Sequence, residues 1–152
     1  MSNKMVLVGG SKATAEFGRD RAEILTAAKS LKSCDTGKIF YLNSATEFAV
    51  TLPSAADAGL GWNCEVIVKA APASASYTVT EKAADDTNVI IVNGINELEV
   101  DDIEDGPYSA GCTTITFADG LAVAGDWIKI RCDGTKFYVT GQSNADGGIT
   151  VA

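Results

Sequence analysis

The chain has no histidine among its 152 residues, which removes Ser-His-Asp and Cys-His nucleophile systems together with every histidine-based metal site. No window approaches the roughly 20 consecutive apolar residues that span a bilayer, and the run Met5-Val6-Leu7-Val8 is too short for the core of a signal peptide. The expectation is a soluble protein made and kept in a cytoplasm, with no membrane partner. Positive charge is also scarce. Twelve Lys/Arg against 20 Asp/Glu give a net charge of −8, the wrong sign for a sequence-independent grip on nucleic acid, which needs a basic surface to displace counterions. Cysteine is limited to positions 34, 64, 112 and 132, with no C-x-x-C pair, so clustered zinc ligation is not expected. Cys64 and Cys132 fall in phase with the alternating apolar residues around them and read as small buried side chains.

The basic residues that exist are unevenly placed. Residues 1–38 carry seven Lys/Arg against four acids, a net +3; with the whole chain at −8, the remainder carries −11. A basic leader on an acidic body reads either as a docking arm or as a solubilising tail. The leader also holds Gly9-Gly10 and no proline, a composition suited to an extended segment. Between Asp20 and Leu31, the positions Ile24, Leu25, Ala28 and Leu31 have helical spacing, while Ala22–Thr26 alone fits a strand entering the body. The organisation expected is an arm over residues 1–35, partly extended or in a short helix, and a β body over 36–152.

From Ile39 onward the sequence is written in short alternating runs separated by turn residues. Ile39–Leu42 and Phe48–Leu52 read as a first hairpin, followed by strands over Trp62–Lys69, Tyr77–Glu81 and Val89–Val92. Asn93-Gly94 reads as a tight turn returning through Ile95–Val100, and Thr113–Phe117 and Ile149–Val151 add further strands. The clearest element is Gly125–Gly141. With Asp133-Gly134 as a two-residue turn, Ile130 would lie opposite Phe137 and Ile128 opposite Val139 on a core face. Lys129 would then face Tyr138 and Arg131 would face Lys136 on the other side, the second being an unfavourable like-charge pair. About nine or ten short strands at such spacing indicate an all-β class, an antiparallel β-sandwich or a jelly-roll or barrel-like body.

The search for chemistry is short. Ser109 lacks both a G-x-S-x-G setting and a base partner. Gly9-Gly10-Ser11-Lys12 lacks the spacing of a phosphate loop. Asp101-Asp102-Ile103-Glu104-Asp105-Gly106 is the best cation candidate, but registering it as a calcium loop places Ile103 at the third ligand position and Cys112 at the twelfth, so it reads as a solvated acidic loop. Nothing singles out one carboxylate pair among 20 acids for glycoside cleavage. No catalytic residue, metal or cofactor is expected. Trp127 and Tyr138, on the outer face of the hairpin, are the aromatics that point to an interface.

The segments Thr36–Asn43 with Phe48–Pro53, Trp62–Pro72, Tyr77–Val79, and Gly125–Gly141 with Asp146–Thr150 resemble small structural proteins encoded by tailed bacteriophages, notably marine and cyanobacterial ones. The resemblance covers roughly residues 36–150 and is carried by strand and turn grammar; residues 1–35 match least. It implies a non-enzymatic virion protein on the outer capsid surface, a decoration or cement protein that bridges major capsid proteins, with a homotrimer favoured. Phage fibres and receptor-binding modules that recognise host-surface glycan share the same grammar and form the alternative. On this reading the arm contacts the capsid through Arg19, Arg21, Lys29 and Lys32, with Ile24, Leu25 and Leu31 in apolar contact. Deleting residues 1–30 would then leave the body folded but abolish head binding. Trp127, Lys129, Arg131, Lys136 and Tyr138 form a second candidate set for subunit or lattice contact.

Overall fold

Apolar side chains at every second position give strands with one buried face. The computed structural model describes residues 21–44, 46–98 and 106–152, and among these it contains twelve strands. Numbered along the chain, a seven-stranded sheet runs in the order β1 (Ala22–Leu25), β3 (Lys38–Leu42), β5 (Leu60–Val68), β10 (Trp127–Asp133), β11 (Phe137–Ser143), β7 (Ile90–Glu97), β8 (Ser109–Cys112). A five-stranded sheet runs β12 (Ile149–Val151), β9 (Thr114–Phe117), β6 (Tyr77–Thr80), β4 (Ala49–Thr51), β2 (Lys29–Ser30). The inner faces of both sheets contribute to one apolar core that includes Phe40, Leu42, Val66, Tyr77, Phe117, Ile128, Ile130 and Phe137. One helical turn, α1 (Ala55–Ala58), is capped by Ser54, whose hydroxyl accepts the Asp57 N–H at 3.1 Å.

The all-β, two-sheet class agrees with the sequence reading, and ten of the strands fall within residues 36–152. The pairing is mixed where an antiparallel body was expected. β1, β3 and β5 pair in parallel in one sheet, and β2, β4 and β6 pair in parallel in the other. The chain therefore crosses from sheet to sheet at each step, laying down a three-rung spiral, and β7 to β12 complete the two sheets with antiparallel pairings except between β11 and β7, which are parallel. Alternation with period two records which face is buried but says nothing about the direction of the neighbour. For the same reason Ile39–Leu42 and Phe48–Leu52 are not a hairpin: β3 and β4 lie in different sheets. β8, which the strand reading did not include, pairs antiparallel with β7.

The body begins earlier than residue 36. Ala22–Leu25 is a strand and not a helix, and Leu25 and Leu31 are 4% and 3% exposed within the core. Cutting the chain at residue 30 would remove β1 and β2, so the expectation that such a truncation leaves the body intact is withdrawn.

The β10–β11 hairpin forms with its register moved by two. Cys132 pairs with Phe137, Ile130 with Val139, Arg131 with Tyr138 and Lys129 with Thr140. The Asp133 N–H donates to the Lys136 carbonyl at 3.1 Å, so the central turn residues are Gly134 and Thr135, with a positive φ (94°) at Gly134. The Asp133 carboxylate explains the choice: one oxygen accepts the N–H groups of Thr135 (2.8 Å) and Lys136 (2.7 Å) and the Thr135 hydroxyl (2.7 Å). A shift of two preserves both faces, so the buried set is unchanged while the Arg131–Lys136 opposition disappears. Asn93-Gly94 is likewise not a hairpin turn. β7 continues through it, with Val92 paired to Val139 and Ile95 to Gly141, so β7 carries one extra residue and Gly94 (φ 87°) absorbs it as a bulge. Gly141, opposite Ile128 in the core, has no room for a Cβ, which would collide with the Trp127 carbonyl oxygen.

Loops between the sheets are fastened by carboxylates that accept backbone N–H groups. Glu81 takes those of Asn88 (3.1 Å) and Val89 (2.9 Å), Glu47 those of Ala73 (2.6 Å) and Ala75 (3.1 Å), and Asp35 that of Lys32 (2.9 Å). Burial alone would raise the Asp35 pKa, but the Lys38 ammonium at 2.9 Å and the Lys32 N–H outweigh it, and the net direction is down. A carboxyl depressed in the folded state stabilises above its unfolded pKa of about 3.9, and that contribution is lost as pH falls through the folded value. The urea midpoint should therefore drop as pH falls from about 5 to about 2, and Asp35→Asn should flatten that dependence. An identical pH slope in the variant would refute the assignment.

All four cysteines are unpaired; Cys64, Cys112 and Cys132 are buried and Cys34 is exposed. Burial pushes the Cys64 thiol well above its ordinary value and raises Cys112 and Cys132 as well. A thiol reagent should titrate one group rapidly in the native protein and all four in denaturant. More than one fast equivalent would contradict the buried positions.

Candidate functional site

The outer face of the seven-stranded sheet is built by in-register pairing of residues far apart in the chain. One row runs Ile24, Tyr41, Ile67, Trp127, Gln142, Asn96 across β1, β3, β5, β10, β11 and β7. Its first four members are apolar or aromatic and none is buried; Ile24 is 54% exposed. The next row runs Ala22, Ile39, Glu65, Lys129, Thr140, and a third joins Asn63, Arg131, Tyr138 and Ile91. The face thus combines an apolar stripe with two exposed cations on a molecule of net charge −8.

Beside the β7 bulge the face is dimpled. Asn93, Lys129, Arg131, Tyr138 and Thr140 line a depression of about 190 Å³ with the Val139 backbone. Tyr138 is 43% exposed and its hydroxyl donates to Asp133 at 3.0 Å. That hydrogen bond, with the nearby negative charge, raises the Tyr138 pKa. Asp133 is displaced the other way, chiefly by the Lys136 and Thr135 donors. The tyrosine is thereby held neutral, a hydrogen-bonding aromatic rim to a basic hollow.

No protein-family model, curated protein or solved structure matches this chain. The site is therefore argued from its own geometry. Of the second candidate set, Trp127, Lys129, Arg131 and Tyr138 share the outer face. Lys136 does not belong with them: it sits in the turn, and its ammonium donates to the Asn88 carbonyl at 3.1 Å. Of the arm set, Arg19 lies outside the described residues, as do Asp101–Asp105 of the acidic loop. Arg21 is exposed at the start of β1, and Ile24 joins the row that contains Trp127. Leu25 and Leu31 are core residues and cannot touch a partner. Lys29 is engaged by Glu23 at 2.6 Å and stands 5.6 Å over the Phe40 ring, while Lys32 gives its carbonyl to the Trp62 indole at 3.2 Å. Ile39, Tyr41 and Ile67 were not singled out from sequence, because an outward apolar residue on one strand marks a candidate face only when cross-strand register sets others beside it.

A second groove, about 460 Å³, lies where β2 and β4 end, between Leu31, Lys32, Leu52, Pro53, Asp57 and Lys82. Its Lys82 is taken by Asp85 at 2.6 Å, with Asp57 at 3.9 Å. Among the described residues no cluster of three or more Cys, Asp or Glu is arranged to hold a metal ion, and no helix is long and apolar enough to cross a membrane.

Proposed function

We propose that this chain is a non-enzymatic structural protein of a tailed-phage virion, which decorates the outer head surface and bridges neighbouring major capsid proteins through the outer face of its seven-stranded sheet. The observation that carries the reading is the joining of Ile24, which is exposed, with the half-buried Tyr41, Ile67 and Trp127 into one outward row beside the exposed Lys129 and Arg131. Interfaces combine an apolar centre with aromatic and arginine anchors in this way. The resemblance of residues 36–150 to phage structural proteins supplies the partner class. A trimer at local three-fold positions would convert modest contacts into avidity. The contact surface moves from the leader to the sheet, since Leu25 and Leu31 are committed to the core.

The test is co-sedimentation with phage heads that lack the protein. Wild type should pellet with the heads, and Lys129→Glu with Arg131→Glu should bind about tenfold or more weakly, since two attractions become repulsions. Wild-type protein that stays in the supernatant would end this reading. The basic dimple also supports a fibre module that takes an acidic glycan, because it gathers cationic and hydroxyl donors in a hollow of sugar-substituent size. Binding to sialylated glycan and not to heads would favour that alternative.

A further inference from the structure

The bulge in β7 sets a reactive dipeptide at the rim of the basic dimple. Of the seven asparagines in the chain, only Asn93 is followed by glycine. Val92 pairs with Val139 and Ile95 with Gly141 on one flank, and Val92 with Ser109 on the other, so neither Asn93 nor Gly94 has a register partner among the described residues. Both are exposed. The Asn93 side chain lines the dimple, and its carboxamide makes no hydrogen bond among the described residues. Gly94 stands at φ 87°, with no heavy atom beyond its chain neighbours within 4 Å of where a Cβ would be. The peptide nitrogen that follows an asparagine can close a five-membered ring on the side-chain Cγ, and a glycine leaves that approach uncrowded.

We propose that Asn93 is a site of spontaneous deamidation, through which the basic dimple acquires an acidic side chain as the protein ages. The Gly94 N–H gives its proton to solvent hydroxide, and the nitrogen attacks Asn93 Cγ to form the C–N bond of a succinimide. The carboxamide nitrogen takes up a proton from water and leaves as ammonia. One water then opens the ring at either carbonyl, giving aspartate or isoaspartate, and no oxidant or reductant takes part. The deprotonated nitrogen and the tetrahedral oxyanion are both negative, and Lys129 and Arg131 of the same dimple stabilise them. Those two cations are the charged residues of the lining, so one new carboxylate takes its formal charge from +2 to +1. The isoaspartate product also adds a methylene to the backbone of β7. The inference stands apart from the head-surface reading: it concerns a reaction of the face, not what the face binds.

Peptide mass mapping of the full chain, aged under warm and mildly alkaline conditions, tests it. The peptide that holds Asn93 should gain about 1 Da, and should convert about tenfold or more faster than those of the other six asparagines. Lys129→Gln with Arg131→Gln should slow the native conversion about fivefold, the effect of removing two solvent-screened charges, and leave the rate in denaturant unchanged. That contrast separates the field of the folded face from the reactivity of the dipeptide itself. An Asn93 that stays intact in the native protein while it converts in denaturant would overturn the proposal. Equal native rates in the wild type and the double variant would overturn the part assigned to the two cations.

Discussion

Replacing Phe137 by alanine should lower the unfolding free energy by about 3–5 kcal/mol, among the largest effects of any single side-chain truncation in the molecule. The ring is fully buried on β11, the strand between β10 and β7 in the seven-stranded sheet, and it meets the Trp62 indole edge-on at 5.8 Å between centroids and 78° between planes. Truncation forfeits apolar transfer free energy, leaves a void among residues fixed by their ladders, and loses an aromatic pair worth about 1 kcal/mol beyond its area. Tyr138→Ala, one position along on the exposed face, is the control and should cost about 1 kcal/mol or less. Urea unfolding of the two variants checks the contrast. A Phe137→Ala cost near that of Tyr138→Ala would mean the ring is not where the core depends on it.

Asp126→Ala should cost about 3 kcal/mol, although it removes no apolar contact. The side chain is 3% exposed. One oxygen accepts the Asn144 N–H at 2.9 Å; the other accepts the Val123 N–H at 3.0 Å and has the Ser143 hydroxyl at 3.4 Å. The Ser143 hydroxyl is also 3.0 Å from the Ala145 carbonyl, so it does not depend on Asp126 alone. Truncation therefore removes two hydrogen bonds made to a buried carboxylate, and bonds to a charged acceptor are worth about 1.5–3 kcal/mol each where neutral ones are worth about 1. Asp126→Asn keeps an acceptor for one donor and should lose about half as much. Faster exchange at the Val123 and Asn144 amides should accompany both changes. Unaltered exchange at those two positions would show that the carboxylate does not fasten the two loops together.

The hairpin was legible in the sequence because its signal is local: a turn flanked by alternating runs reports which residues face inward even when the pairing slips by two. Direction was not legible. The side chains of Ile39–Leu42 turn to opposite faces in succession beside a parallel or an antiparallel neighbour alike, so the spiral of β1 to β6 left no mark in the pattern. Asn93-Gly94 failed differently, since a glycine with positive φ serves a bulge as readily as a turn, and only tertiary pairing decides between them. In residues 22–31 the apolar spacing satisfied helix and strand alike, and the open flank of β3 selected the strand. The fastening carboxylates Glu47, Glu81 and Asp126 pair with backbone N–H groups, which carry no sequence signature. Half of the candidate face was visible, as the basic and aromatic positions of one hairpin. Its other half came from Ile24, Tyr41 and Ile67, which only the cross-strand register brings beside Trp127.

The mixed topology also dictates an order of assembly. Pairs within the spiral join residues 17 to 29 positions apart, such as Ala22 with Ile39 and Ala49 with Thr78, and close while the chain is still being made. The far edge of β5 must wait much longer. Cys64 pairs with Ile130, 66 positions later, and at ribosomal rates of about 5–20 residues per second that edge stays uncovered for roughly 3–13 s. During that interval Trp62–Val68 presents alternating Trp, Cys and Val side chains and an unsatisfied ladder, the longest-lived aggregation hazard in the biogenesis of this protein.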